Sequence, residues 1–190
     1  MSDELKKWLE KDGEIFLKSI GVKRGNIVLD FGCNRGHYTI PAAKMVGKQG
    51  KVYAFDKDKD ALRELEETSK KFSLKNIQLI NGNSKVPLEN NFVDVVLCYD
   101  VIHYGNRKER KVIYSEVYRI LTKEGIFSVY PKHHKEDSPS NGLADVNLME
   151  VIEEIEEAGF TLEHKFSKEL LHDDYYNKGC VLNLRKNLKH

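Results

Sequence analysis

Two carboxylates, each closing a short apolar run, are the residues of this chain best placed to do chemistry. The run Val28-Leu29-Asp30-Phe31-Gly32-Cys33-Asn34-Arg35-Gly36 carries an apolar strand into Asp30 and at once into a glycine-bearing turn. A second run, Lys51-Val52-Tyr53-Ala54-Phe55-Asp56, ends in Asp56, 20 residues after Gly36. Glycines let the backbone approach a ligand closely and take positive φ without steric cost. At the strand ends of an α/β sheet such a turn makes a nucleotide-sized pocket. A carboxylate at the position of Asp56 accepts hydrogen bonds from both hydroxyls of a ribose. The expected ligand therefore carries an unphosphorylated ribose.

The elements that must position these groups alternate along the chain. Ile27 to Phe31 reads as a strand, Tyr38 to Val46 as a helix and Lys51 to Phe55 as a second strand. Leu62, Leu65 and Phe72 recur at helical spacing before a third strand, Ile77 to Ile80. Val93 to Cys98 is almost continuously apolar, as a strand buried on both faces should be. Ile113, Val117, Ile120 and Leu121 mark a helix that Gly125 is expected to end, followed by a strand from Ile126 to Tyr130. Leu148, Ile152 and Ile155 mark a last helix stopping at Gly159. Thr161 to Phe166 and Cys180 to Leu184 are then two strands, with Ser167 to Lys178 as a loop too long for a tight hairpin.

Parallel strands need crossover connections, so this alternation predicts an α/β fold. It is a doubly wound, Rossmann-like, mostly parallel sheet of seven strands with helices on both faces. The last two strands break the alternation, so one of them runs antiparallel. Residues 1–20 read as an N-terminal helical segment and a possible lid, with Trp8 as the lid residue, and residues 21–190 as the ligand-binding domain. Ile15 to Ile20 is expected to pack on the sheet.

Composition sets the outer bounds. A chain of 190 residues fits one domain with a substantial core. With 31 basic against 30 acidic residues there is no net pull toward nucleic acid. No apolar run is long enough to span a bilayer, and Met1 to Leu9 lacks the apolar centre of a signal peptide. Cys33, Cys98 and Cys180 are widely spaced without a CxxC pair, so neither a disulfide framework nor a structural zinc site is expected. The reading is a reduced, cytoplasmic protein with no metal.

Asp30 to Gly36, Asp56, and the run Asn81-Gly82-Asn83-Ser84-Lys85-Val86-Pro87-Leu88 before Phe92-Val93-Asp94-Val95-Val96 together resemble class I S-adenosylmethionine-dependent methyltransferases. The resemblance runs from about Ile15 to Leu184. It implies S-adenosyl-L-methionine as cofactor, held by Asp30, Gly32, Cys33, Asn34, Gly36 and Tyr38 at the methionine end. Asp56 takes the ribose, and Lys57, Asn83 and Ser84 lie along the adenine. Cys98 contributes its backbone carbonyl to the methionine amine. Asn34 stands where the family usually has a glycine; asparagine tolerates left-handed backbone angles, so the turn can survive. Asn83 replaces the usual Asp and keeps an acceptor in its carbonyl oxygen. Asp58 is better placed than Asp56 to cap the next helix.

The sulfonium is an activated donor, so the protein's task is to hold donor and acceptor in line and exclude water. No catalytic triad is expected. Acceptor-facing residues should come from Tyr99 to Gly105 and Pro131 to Asn141, which offer Tyr99, Asp100, His103, Tyr104, His133 and His134, with Trp8 from the N-terminal segment. Cys98-Tyr99-Asp100-Val101 is not the Asn/Asp-Pro-Pro-aromatic motif of base N-methylating enzymes, and no Pro-Cys pair serves cytosine C5 chemistry. Pro131-Lys132-His133-His134 does not supply the acidic metal site of catechol-type enzymes. A small-molecule acceptor remains the expectation, with no nucleic-acid or membrane partner. Two alternatives stay open. One is an NAD-dependent oxidoreductase, although the spacing around Asn34 does not fit GxGxxG; the other is a non-catalytic S-adenosylmethionine-binding scaffold or regulator.

Overall fold

The computed structural model describes residues 1–136 and 146–187, apart from the side chain of Tyr104. Seven strands form one sheet: β1 (Ile27–Phe31), β2 (Lys51–Asp56), β3 (Ile77–Asn81), β4 (Val93–Tyr99), β5 (Leu121–Tyr130), β6 (Phe160–His172) and β7 (Tyr175–Lys186). Their spatial order is β3-β2-β1-β4-β5-β7-β6. The first five pair in parallel, and β7 runs antiparallel to both of its neighbours. The order reverses between β1 and β4, the place where an open α/β sheet leaves a crevice at its carboxyl ends.

Side chains of adjacent strand residues point to opposite faces, and β4 shows both faces buried. Val95, Leu97 and Tyr99 enter a core with the N-terminal helices and α3 (Thr39–Val46), while Val96 and Cys98 enter a second core with α5 (Arg107–Ile120) and α6 (Leu148–Glu157). The helix α4 (Lys59–Lys71) starts at Asp58, whose carboxylate accepts from the N–H groups of Asp60 and Ala61. Asp58 is thus the cap, as expected of the two neighbouring carboxylates. Asn106 and Asn147 close reciprocal capping boxes with Glu109 and Glu150 at the starts of α5 and α6. A buried, bidentate Arg110–Glu154 pair with both contacts at 2.8 Å ties these helices together. Arg110 also donates to the Gly105 carbonyl at 2.7 Å, fixing the loop that follows β4.

The structure corrects two boundaries. Helix α5 ends at Ile120, not at Gly125; the chain turns directly into β5, and Gly125 sits where the register against β4 jumps from Val93↔Leu121 to Val95↔Ile126. The segment Ser167 to Lys178 is no loop. It is the outer half of a long hairpin, paired from Ser167↔Cys180 to His172↔Tyr175, with only Asp173 and Asp174 in the turn. Asp173 takes the positive φ, 53°, that this tight reversal requires. The charged residues Lys165, Lys168 and Glu169 on the edge strand β6 disguised it, because edge strands carry charge to block further pairing.

Residues 1–20 are helical as read: α1 (Asp3–Lys7), a π-helical turn (Trp8–Asp12) and α2 (Gly13–Ser19). Phe16, Leu17 and Ile20 pack into the core while Ile15 is exposed. Trp8 is only 1% exposed, its indole N–H donates to the His37 carbonyl at 2.8 Å, and its ring meets Phe16, Tyr38 and Tyr176. This segment is built into the body of the fold. The hairpin tip closes over it: Ser2 donates to the Asp174 carbonyl at 2.6 Å, Tyr38 to the Leu171 carbonyl at 2.6 Å, and the Tyr176 N–H to Glu4.

Candidate active site

The turn from β1 into α3 gathers the first group of expected residues. Gly32 and Gly36 have φ of 75° and 85°, and Asn34 between them has φ of 45°, so asparagine does occupy a left-handed position with its side chain exposed. The Gly32 and Cys33 N–H groups donate to the Phe55 carbonyl at 2.8 and 3.1 Å, which fastens the turn to the end of β2. At Gly36 a Cβ would stand 2.2 Å from Leu65 of α4, so packing as well as backbone angle demands glycine there.

Asp56 reaches this turn from the neighbouring strand. One carboxylate oxygen accepts from the Asn34 N–H at 2.8 Å and the other from the Asp58 N–H at 2.9 Å. A carboxylate has about four lone-pair sites, so two remain for a ligand's hydroxyls. Asp30 is only 3% exposed and accepts from the Thr39 hydroxyl at 2.6 Å. Burial, with a contribution from the nearby negative charge of Asp56, pushes its carboxyl up to about 7. Two carboxylates at adjacent strand ends, one of them buried, make an anionic mouth suited to a positively charged ligand. Cys33 and Cys98 are buried, and burial pushes both thiols up, which leaves them as packing rather than nucleophiles.

Asn83 and Lys57 are exposed at the rim. The Asn81 amide donates to the Asp56 and Lys57 carbonyls at 3.0 Å each, which holds the rim in place. Ser84 lines an open cleft against α5 with Lys85, Lys111 and Arg119, to one side of the glycine turn.

Deeper toward β4, aromatic rings form a wall. Tyr38 and Tyr99 meet edge to face at 4.7 Å, Trp8 and Phe16 pack behind Tyr38, and the Tyr99 hydroxyl pairs with Ser128 at 2.7 Å. Burial raises both Tyr38 and Tyr99 well above the ordinary phenol range, so they are neutral hydrogen-bonding surfaces.

A third group assembles from the carboxyl ends of β4, β5 and β6. Asp100 lies at the centre: His103 Nδ1 is 3.1 Å from its Oδ1, His172 Nε2 is 3.0 Å from its Oδ2, and His133 Nε2 is 3.7 Å from its Oδ1. His133 and His172 face one another through their Nε2 atoms at 3.1 Å. Burial pushes His103 down to about 4, whereas the bond to Asp100 raises His172. Among the described residues, Asp100, His133 and His172 are a set whose donor atoms converge closely enough to hold a metal ion. The sequence offered no metal; the structure brings together residues that can take one. His172 was missed because it lay in the supposed loop, where the residues beyond Phe166 carry no clear strand pattern. His134 does not join this group: it pairs with Glu136 at 2.8 Å. The Tyr104 side chain and the part of the Pro131 to Asn141 loop beyond residue 136 lie outside the described residues.

A family model described as a methyltransferase domain matches residues 22–186. The chain belongs to the class I S-adenosylmethionine-dependent methyltransferase family. A solved S-adenosylmethionine-dependent methyltransferase from Aquifex aeolicus superposes with a TM-score of 0.77 at 25% identity, covering 94% of this chain and 92% of that one. Among curated relatives, a probable cobalt-precorrin-6B C(15)-methyltransferase (decarboxylating) of Saccharolobus solfataricus is 32% identical over 65% of this chain. A demethylmenaquinone methyltransferase of Geobacillus is 32% identical over 63% of it. These matches span 61% and 49% of the relatives' own lengths. The family fold also serves other chemistry: the [4+2]-cyclase SpnF superposes with a TM-score of 0.75 at 13% identity, covering 92% of this chain and 79% of that one. Fold alone therefore does not select the reaction. Among the described residues no helix is long and apolar enough to cross a membrane.

Proposed function

We propose that this protein binds S-adenosyl-L-methionine at the turn between β1 and α3 and methylates a small-molecule acceptor. The observation that carries this reading is the Asp30–Asp56 pair flanking the left-handed Gly32-Cys33-Asn34-Arg35-Gly36 turn. A cofactor bearing a sulfonium, an ammonium and a ribose matches that donor set: positive charge relieves buried Asp30, and hydroxyls fill the remaining lone pairs of Asp56. When bound, the cofactor supplies an activated methyl group.

The chain's own residues do the rest. Asp56 orients the ribose, the turn carries the methionine end, and the Tyr38–Tyr99–Trp8 wall keeps water out of the space beside it. The acceptor side falls to the ends of β4, β5 and β6. The curated relatives' names carry small organic acceptors, cobalt-precorrin-6B and demethylmenaquinone, and the balanced charge of this chain gives nucleic acid no electrostatic foothold.

Calorimetric titration with S-adenosylmethionine, S-adenosylhomocysteine and NAD tests the reading. Saturable binding of the first two and not of NAD is expected, weakened by about 2–4 kcal/mol in Asp56→Ala through loss of a charge-assisted pair of bonds. Binding of NAD alone, or unchanged affinity in a folded Asp56→Ala protein, would overturn it.

A further inference from the structure

We propose that Asp100, His133 and His172 bind a divalent first-row transition ion, and that this ion takes the methyl acceptor by an oxygen, nitrogen or sulfur atom. The second half rests on the methyl-transfer reading above; the ion site itself does not.

One donor atom from each of the three residues lies within 4.8 Å of the other two. His172 Nε2 lies 3.0 Å from Asp100 Oδ2 and 3.1 Å from His133 Nε2, and His133 Nε2 lies 3.7 Å from Asp100 Oδ1. A single proton on His172 Nε2 can serve one of its two neighbours, whereas a cation serves all three. Donors about 2.0–2.1 Å from a tetrahedral ion stand roughly 3.3 Å apart; the two His172 Nε2 contacts lie close to that spacing, and His133 and Asp100 would draw together onto the ion. Two imidazoles and one carboxylate are the ligands of zinc, iron(II) and their neighbours rather than of magnesium or calcium, and three protein ligands leave open positions for an exogenous group.

The surroundings support the ligands as metal sites require. His103 Nδ1 stands 3.1 Å from Asp100 on a second side, and His172 turns its Nδ1 toward the Asp173 carboxylate at 3.5 Å, leaving Nε2 directed inward. Asp100 and His133 both hold positive φ, 59° and 63°, a conformation outside glycine that persists where the surrounding structure imposes it. Besides Asp100, Asp173 and the buried Lys132 place charges of opposite sign near His172. The three ligands come from the carboxyl ends of β4, β5 and β6, where the acceptor must approach. An acceptor bound through such an ion releases its proton to solvent more readily, which suits hydroxyl, amine or thiol acceptors.

Cobalt(II) and zinc(II) are the probes. After chelator treatment, the full chain should take up one equivalent of cobalt with a visible absorption band, displaced by zinc and not by magnesium. His133→Ala and His172→Ala should each weaken uptake by more than roughly 100-fold and His103→Ala by roughly 10–100-fold, while His164→Ala, an exposed histidine on the body of β6, binds as the parent does. Zinc should also raise the melting temperature of the unaltered protein, a readout that needs no variant to fold. Absence of one-equivalent binding to the unaltered protein, or unchanged binding in both folded ligand variants, would overturn the site. These measurements contain no S-adenosylmethionine. Cobalt uptake without cofactor binding would sink the methyl-transfer reading and the acceptor role together while sparing the ion site; cofactor binding without cobalt uptake would sink the ion site alone.

Discussion

Replacing Asp30 by asparagine should stabilise the protein above neutrality and leave it nearly unchanged in acid. Asparagine keeps an oxygen to accept from the Thr39 hydroxyl, so the substitution removes charge with little change of shape. In the parent the carboxyl is raised from 3.8 to about 7, chiefly by burial. Below its ordinary value the group is protonated in both folded and unfolded chains and contributes nothing. As pH rises from about 4 to about 7 the unfolded chain releases the proton that the folded chain retains, so stability falls. Above about 7 both forms are ionised and the whole cost is present. About three pKa units at ~1.4 kcal/mol each give a ceiling of about 4 kcal/mol. In a domain of this size that corresponds to roughly 10 °C in melting temperature.

Thermal melts of parent and Asp30→Asn proteins from pH 4 to pH 8 provide the assay, because groups common to both cancel in the difference. The variant's advantage should grow through this range and level off above pH 7. An advantage that is constant with pH, or that grows toward acid, would refute the reasoning. The same charge gives a binding signature. Affinity for positively charged S-adenosylmethionine should rise through pH 7 in the parent and stay flat in Asp30→Asn.

Three further outcomes are expected. Gly36→Ala should lower unfolding stability by roughly 2–5 kcal/mol in a denaturant titration, from left-handed strain plus the clash with Leu65; a midpoint shift worth under about 0.5 kcal/mol would contradict the packing described. Asn34→Gly should leave S-adenosylmethionine affinity as it is, since the side chain is exposed and the backbone already left-handed, and a large calorimetric change in either direction would show that the asparagine obstructs or contacts the ligand. Arg110→Met should cost up to about 3–5 kcal/mol by leaving buried Glu154 with only the longer 3.6 Å contact to Arg107, and Arg110→Met with Glu154→Leu should recover most of it; equal losses in the single and double variants would show that the pair is not the cause.

Strands β1, β2 and β4 were legible because each is an apolar run inside the sheet that ends at a glycine or a carboxylate, and β3, at the edge opposite β6, because its apolar run stops just before Gly82. The same pattern singled out Asp30 and Asp56, and the structure brings both carboxylates beside the glycine turn. The hairpin was not legible beyond Phe166. There an edge strand carries charge on its open side, and its turn uses Asp173 and Asp174 without a glycine to mark it. The Asp100 cluster was hidden for a different reason: its donors come from three separate strand ends, and no local spacing announces that they meet. That Trp8 is buried against Phe16, Tyr38 and Tyr176 could not be read from helical spacing alone.

The place of β7 in the sheet also sets an order of assembly. During synthesis β6 leaves the ribosome before β7, yet β6 meets the sheet only through β7, which must insert between β5 and β6. Until β7 has emerged, His172 has no anchored strand to hold it beside Asp100, and the Ser2–Asp174 and Glu4–Tyr176 contacts across the chain cannot close. The nascent chain can therefore complete the glycine turn and its Asp56 rim early, from β1 and β2, while the Asp100 cluster waits for the last strand. A half-made copy thus carries the turn between β1 and α3 without the cluster that the hairpin completes.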